Sequence, residues 1–188
     1  NSPLLQPRRT LDAAGAQQAA PRRRRPSRRV KFLALTVGHK MPVWINAGFE
    51  EYARRMPRET RLALVEIKPE VRGRHAGATA VQRMLQAEHK RISAALPAGC
   101  FRVVLDEHGK SFSTRQLADR IARWREAGRD VAFVIGGADG TAAALKEQAD
   151  LLWSLSPLTL PHGLVRIVLA EQLYRAVSIL SGHPYHRE

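Results

Sequence analysis

The sequence predicts a single α/β domain, a mostly parallel sheet flanked by helices, on three observations. From residue 30 onward, short apolar runs of strand length alternate with amphipathic stretches of helix length. The connections between them are short, and several of the runs end on glycine. Repeated βα units of this kind place successive strands in parallel, because each intervening helix carries the chain back to the same end of the sheet.

Each element has its own signal. Residues 30–37 (VKFLALTV) form an apolar run of strand length, ended by Gly38. Pro42 suits the first turn of a helix whose Ile45, Phe49, Tyr52 and Met56 share one face. Residues 62–67 (LALVEI) read as a second strand, and a basic connection, Arg72-Gly73-Arg74-His75-Ala76-Gly77, leads to a helix at about 78–95. Residues 101–106 (FRVVLD) read as a third strand, with Gly109 in the loop after it. Ser113 and Gln116 have capping-box spacing and open a helix carrying Leu117, Ile121 and Trp124 on one face, which Gly128 closes. Residues 130–135 (DVAFVI) form a fourth strand running straight into Gly136-Gly137. After a short helix at about 141–150 comes WSLSPLTLP (153–161), a run of hydroxyls, leucines and two prolines. The last helix, at about 163–180, is apolar on nearly every side, so it is either fully buried or half covered by a partner chain.

Composition narrows the class. The 188 residues suit one core with a tail, and no stretch approaches the roughly 20 apolar residues of a membrane span. The single cysteine, Cys100, excludes a disulfide framework and a Cys-rich zinc module, which points to a soluble protein in a reducing compartment. Lys+Arg 31 against Asp+Glu 17 leaves a net charge of +14. Half of that excess sits in residues 1–29, which hold eight arginines and one acid. That segment lacks aromatics and hydrophobic periodicity and is expected to be a disordered extension preceding a folded domain at 30–188. An RNA-binding arm, a transit-peptide remnant or sequence upstream of the true start would each account for it, and the last is the expectation. The body is basic in its own right, which suits a polyanionic partner as well as it suits a solvated surface.

Ligands of open α/β sheets bind outside the carboxyl ends of the strands. Three segments satisfy that rule: Leu105 through Gly109, Ile135 through Gly140, and Leu155 through Leu160. The Gly136-Gly137-Ala138-Asp139-Gly140 run does not match G-x-G-x-x-G, and no Walker lysine follows, which disfavours a Rossmann or P-loop phosphate site. Tight turns explain these glycines as well as a ligand does. No G-x-S-x-G elbow supports Ser-His-Asp hydrolysis. His162 stands before an apolar helix, where it would donate to its neighbours or pack. His183 and His186 are an H-x-x-H pair with no third ligand at a supporting spacing, so no metal is expected. The C-terminal run His183-Pro-Tyr-His-Arg-Glu188 is dense in groups that titrate near neutrality, stack on bases or grip phosphate. Arg72, Arg74 and Lys110, on loops near the strand ends, read singly as solvated charges and together as RNA phosphate contacts.

Six strings carry a resemblance: VGHKMP (37–42), LDEHGK (105–110), VIGGADG (134–140), SLSPLTLPH (154–162), AEQLYRA (170–176) and HPYHRE (183–188). In order and spacing they resemble the bacterial large-subunit (23S) rRNA pseudouridine-N3 methyltransferases of the SPOUT superfamily, over residues 30–188. The resemblance implies a parallel α/β fold with a C-terminal trefoil knot, a homodimer and S-adenosylmethionine as methyl donor, with no metal. By motif match it assigns the donor pocket to Leu105, Gly136, Leu155, Ser156, Pro157, Leu158, Thr159 and Leu160. It implies methylation of N3 of a pseudouridine in ribosomal RNA, preferentially on assembled ribosomes. The tail then supplies His186 and Tyr185 as candidates for the base or its positioning, and Arg187 to grip RNA phosphate or the developing oxyanion. Glu171 and Arg175, four apart on the last helix, orient the tail or substrate unless they are simply a surface ion pair. Two rivals remain at this point, a non-catalytic ribosome-binding module of the same shape and a tRNA methyltransferase of the same superfamily.

Overall fold

A computed structural model describes residues 29–71, 73 and 77–185. The arginine-rich segment 1–28, Arg72, Arg74 and the last three residues, including His186 and Arg187, lie outside the described residues.

The chain alternates as expected: β1 (Phe32–Val37), α1 (Val43–Arg55), a 3-10 turn (Arg58–Thr60), β2 (Leu62–Ile67), α2 (Ala78–Ala95), β3 (Phe101–Ser111), α3 (Thr114–Ala127), β4 (Val131–Ile135), α4 (Ala143–Glu147), β5 (Leu151–Ser154) and α5 (His162–Ser181). The five strands form one sheet in the order β2-β1-β4-β3-β5, every neighbouring pair parallel. Helices cover both faces. Phe32, Ala34, Val131, Phe133 and Ile135 point to a core shared with α1, α3 and α5, whereas Leu35, Val37, Ala132 and Val134 point to α2 and α4. Alternation toward two apolar layers is why the central strands read as continuous hydrophobic runs. All five residues of β4 are buried.

The local signals for α3 are met in full. The Ser113 hydroxyl accepts from the Gln116 backbone N–H at 3.2 Å, the Gln116 side chain accepts from the Ser113 N–H at 2.9 Å, and Gly128 ends the helix in the left-handed region at φ 65°.

Two expectations need correction. The third strand does not stop at Asp106. It pairs with β5 through Leu105, leaves the ladder over residues 106–109, and rejoins it at Lys110 opposite Trp153 and Ser111 opposite Ser154. Gly109 therefore lies inside an irregular strand rather than in a following loop. A Cβ there would stand 2.7 Å from the backbone N and C of Trp153. Lys110 is likewise a strand residue, exposed, and not on a loop. The second correction is β5 itself, which occupies residues read as the start of an irregular run.

The last helix is neither wholly buried nor bare. Arg166, Leu169, Ala170, Leu173, Ala176, Val177 and Ser178 are buried within the chain, while Ile167, Val168 and Tyr174 are half-buried and Leu164 is exposed. It crosses α1 closely, since a Cβ on Gly48 would meet Ile167 at 2.8 Å and one on Gly163 would meet Ile45 at 2.9 Å. Beside this crossing, Val43 and Trp44 remain 85% and 58% exposed. Among the described residues no helix is long and apolar enough to cross a membrane.

Candidate donor cavity and tail cluster

The carboxyl ends of β3, β4 and β5 open onto one cavity of about 510 Å³. That is within the range of roughly 300–1,000 Å³ typical of small-molecule sites. Three stretches line it: Leu105 to His108 from the excursion of β3, Ile135 to Thr141 from the turn after β4, and most of residues 153–160. Leu105, Gly136, Leu155, Ser156, Leu158, Thr159 and Leu160 are all in the lining. Pro157 is not; it lies in a turn that the Ser156 hydroxyl closes by accepting from the Leu158 N–H at 2.9 Å. The Ser154 hydroxyl donates to the Ser156 carbonyl at 2.9 Å in the same segment. Hydroxyl groups thus satisfy the local backbone and fold the run around the cavity mouth.

The glycine turn is required by the chain itself. A Cβ on Gly136 would fall 2.4 Å from the Gly140 carbonyl oxygen, and Gly140 has φ 81°. Of the two explanations open at the sequence level, tight turning therefore accounts for these glycines without a ligand. The same turn brings Thr141 into the lining, and its buried hydroxyl has no hydrogen-bond partner among the described residues.

Two groups in the cavity wall are not among the site residues that the sequence assigns. Lys146 of α4 forms an ion pair with Asp106, whose carboxylate also accepts from the His108 N–H at 2.9 Å. Burial pushes the Asp106 pKa up, but the hydrogen bonds and charge of Lys146 and the His108 N–H outweigh it and hold the group below its ordinary value. The second is His162, the first residue of α5. Burial and then the adjacent Arg166 charge lower its pKa, against a hydrogen bond to the Gly136 backbone that raises it. Its sequence signals are its place between Pro161 and an apolar helix and at the end of the SLSPLTLPH string.

The described candidates Glu171, Arg175 and Tyr185 are assembled elsewhere. Glu171 accepts from Arg175 Nε at 2.7 Å and from the Tyr185 hydroxyl at 3.2 Å, and its second oxygen accepts from Gln172 at 2.7 Å. The Tyr185 ring lies 4.7 Å from Tyr174 between centroids, with the Arg175 guanidinium 4.8 Å from its own centroid. The Glu171 side chain is only 17% exposed, and its bond to Tyr185 links α5 to the segment that follows it. Burial, hydrogen bonding to Tyr52 and the Glu171 charge push the Tyr185 pKa up to about 12. A phenol held protonated in this way is a poor proton acceptor. Neither Glu171, Arg175 nor Tyr185 lines the cavity. Glu171 lies nine residues along α5 from His162, about 13 Å of helix axis. Among the described residues no group of three or more His, Cys, Asp or Glu side chains is arranged to hold a metal ion.

The cavity suits a ligand with an extended apolar and polar outline. Leucine side chains, backbone amides, hydroxyls and the unpartnered Thr141 group are all available in its wall.

Comparison with known proteins agrees with this geometry. A protein of Laribacter hongkongensis named "Ribosomal RNA large subunit methyltransferase H" is 56% identical over 159 residues, covering 85% of this chain and all of the relative. Its namesake in Nitrosospira multiformis is 57% identical over 158 residues, covering 84% of this chain and 99% of its own. Among solved structures, a probable methyltransferase from Bordetella pertussis Tohama I shares the fold, at TM-score 0.51 and 18% identity over 80% of this chain and 96% of that one. A family model described as "Predicted SPOUT methyltransferase" matches residues 30–186. The chain belongs to the SPOUT methyltransferase family.

Proposed function

We propose that the chain uses S-adenosylmethionine to methylate N3 of a pseudouridine in 23S ribosomal RNA, acting on assembled ribosomes in the cytoplasm. The observation that carries the reading is the cavity at the ends of β3, β4 and β5, lined by seven of the eight residues that the family motifs assign to the donor. The two relatives, matched over essentially their whole length, are named for ribosomal RNA methylation. The basic body of the chain is suited to a phosphate-rich substrate.

When bound, the donor supplies an electrophilic methyl group on a sulfonium centre, so the protein's own task is alignment and proton removal. Leu155 to Leu160 and the turn at Gly136 hold and enclose the donor, excluding water from the methyl group. The N3 proton of pseudouridine lies between two carbonyls and is weakly acidic, so a moderate base suffices. His186 takes that role and Arg187 steadies RNA phosphate or the developing oxyanion, by motif. Tyr185, Glu171 and Arg175 hold the tail in place through the bonds described above. Arg72, Arg74 and Lys110 add phosphate contacts.

The same reading includes a homodimer. Val43, Trp44 and Leu164 are exposed apolar side chains next to Ile45 and Gly163, where α1 and α5 cross, and such a surface suits a partner chain. The tail cluster lies away from the cavity along α5, so a second copy can bring its tail to the first copy's donor. The knot implied by the resemblance is part of the reading too.

The test is transfer of labelled methyl from S-adenosylmethionine to unmodified ribosomes, free large subunits, naked rRNA and tRNA, with the product nucleoside identified by mass. N3-methylpseudouridine from ribosomes alone is expected. Methylated tRNA would move the activity to another branch of the superfamily, and no transfer to any substrate by a folded dimer would leave a binding module that has lost its donor.

A further inference from the structure

The side chain of Arg166 is the largest that is fully buried, at 0% exposure, and no motif accounts for it. From the inward face of α5 it donates to three groups. Nη1 donates to Glu66 Oε1 of β2 at 2.8 Å. Nη2 donates to the Gly38 carbonyl, at the end of β1, at 2.9 Å, and lies 3.2 Å from Nε2 of His162. Nε has no acceptor among the described residues. A buried guanidinium with one N–H left unsatisfied is a poor device for stability alone, since an apolar side chain of similar volume would avoid the desolvation cost. Its value lies in what it orients.

What it orients is His162. A guanidinium has no lone pair to offer, so Nε2 of the imidazole is the acceptor and the ring's proton resides on Nδ1. The protonated nitrogen is then the one available for the hydrogen bond to the Gly136 backbone. One ring nitrogen is thereby committed to Arg166, and the ring shares the cavity wall with the Gly136 turn. The imidazole is a strut between a buried cation and the strand end that forms one lip of the cavity, and not a free base. Burial and the Arg166 charge both favour the neutral ring this arrangement needs.

We propose that Arg166 is a positioning residue for methyl-donor binding, acting through His162, which fixes the Gly136 end of β4 against the start of α5. The inference rests on the reading of this cavity as the S-adenosylmethionine site. Through Gly38 and Glu66 the same guanidinium also ties the ends of β1 and β2 to that lip, so the cavity wall is braced from the far side of the sheet.

The experiment is calorimetric titration of S-adenosylmethionine into the full chain and into His162→Phe, His162→Gln and Arg166→Lys, with melting temperature, dimer mass and ring ¹⁵N shifts measured on each. His162→Phe keeps the packing and loses the hydrogen bond from Arg166. It is expected to weaken donor binding about tenfold, the size of one lost buried hydrogen bond. The KM for the donor should rise with it, while kcat at saturating donor stays near wild type. His162→Gln, whose amide can both donate and accept, should recover part of the affinity. Arg166→Lys should weaken binding in the same direction and alter the Nδ1-protonated ring signature expected of the wild type. Wild-type affinity in His162→Phe, or a loss of melting temperature with affinity intact, would overturn the proposal while leaving the donor reading in place. Absence of binding by the unaltered chain would overturn both.

Discussion

Gly109 and the backbone of Trp153 are packed so closely that a single added carbon would lie 2.7 Å from two main-chain atoms. Neither partner can yield, because Trp153 is paired to β3 on both sides of the excursion, at Leu105 and at Lys110. Gly109→Ala is therefore expected to cost about 1–3 kcal/mol of stability, the usual penalty for overpacking a tight site. It should also weaken donor binding, since Asp106, Glu107 and His108 form part of the cavity wall. Chemical denaturation and donor titration on the same sample check both effects.

Glu171 receives hydrogen bonds from Arg175, Gln172 and Tyr185. Glu171→Ala would release the tail and leave the donor cavity untouched. Turnover should fall by roughly 10²-fold, at the low end for losing an oriented acid–base group, with donor affinity within about twofold of wild type. Parallel loss of affinity would mean that the cluster supports the fold and not the reaction.

The Tyr185 phenol titrates only near pH 12 in the folded chain, against about 10 for an ordinary tyrosine. A raised folded value means that its contribution to tail docking is complete below pH 10 and is lost as pH rises through 12. Tyrosinate absorbance should show this late step, and Tyr185→Phe should abolish it.

For His162 the sign is opposite. Its folded pKa lies below the ordinary histidine value, because of burial and then the Arg166 charge. Stability from the neutral ring is present above about pH 6.5 and declines as pH falls through the folded value. Unfolding measured between pH 7.5 and 5 should show this decline, and His162→Phe should flatten it.

Trp44→Glu places a charge on the most aromatic part of the exposed α1–α5 patch. Sedimentation should show a monomer for this variant and a dimer for the wild type. Mixing two inactive dimers, one altered in the cavity and one in the tail, should restore about a quarter of the wild-type sites if each site joins one copy's cavity to the other's tail. No recovery would place both halves of the site in one chain.

Much of the architecture was legible because buried parallel strands leave a direct trace in sequence. β1, β2 and β4 are apolar runs, β1 and β4 ending on glycine, and α3 carries a complete capping box at its start. What was hidden depends on distant neighbours. The residues Asp106-Glu107-His108-Gly109 have the composition of a turn, and only pairing of Lys110 and Ser111 with β5 makes them an interruption within a strand. β5 has four residues and no periodicity of its own; its partner defines it. At the site, the glycine turn and the hydroxyl-rich run follow from the rule that ligands sit beyond strand ends. Lys146 and His162 do not, since each reaches the cavity from a helix whose orientation no local pattern encodes.

The strand order also dictates when this protein can finish folding during synthesis. β1 emerges first, yet its neighbour on the inner side of the sheet is β4, paired at Phe32 with Val131. The contact between Arg166 and Glu66 spans 100 residues and closes only after the last helix has been made. A nascent chain can form little beyond the β1–β2 edge until most of its length has left the ribosome, so assembly of the sheet is late and slow relative to a local-contact fold. A cavity that forms only once β3, β4 and β5 have joined the sheet is the consequence of placing the first strand inside it, beside β4.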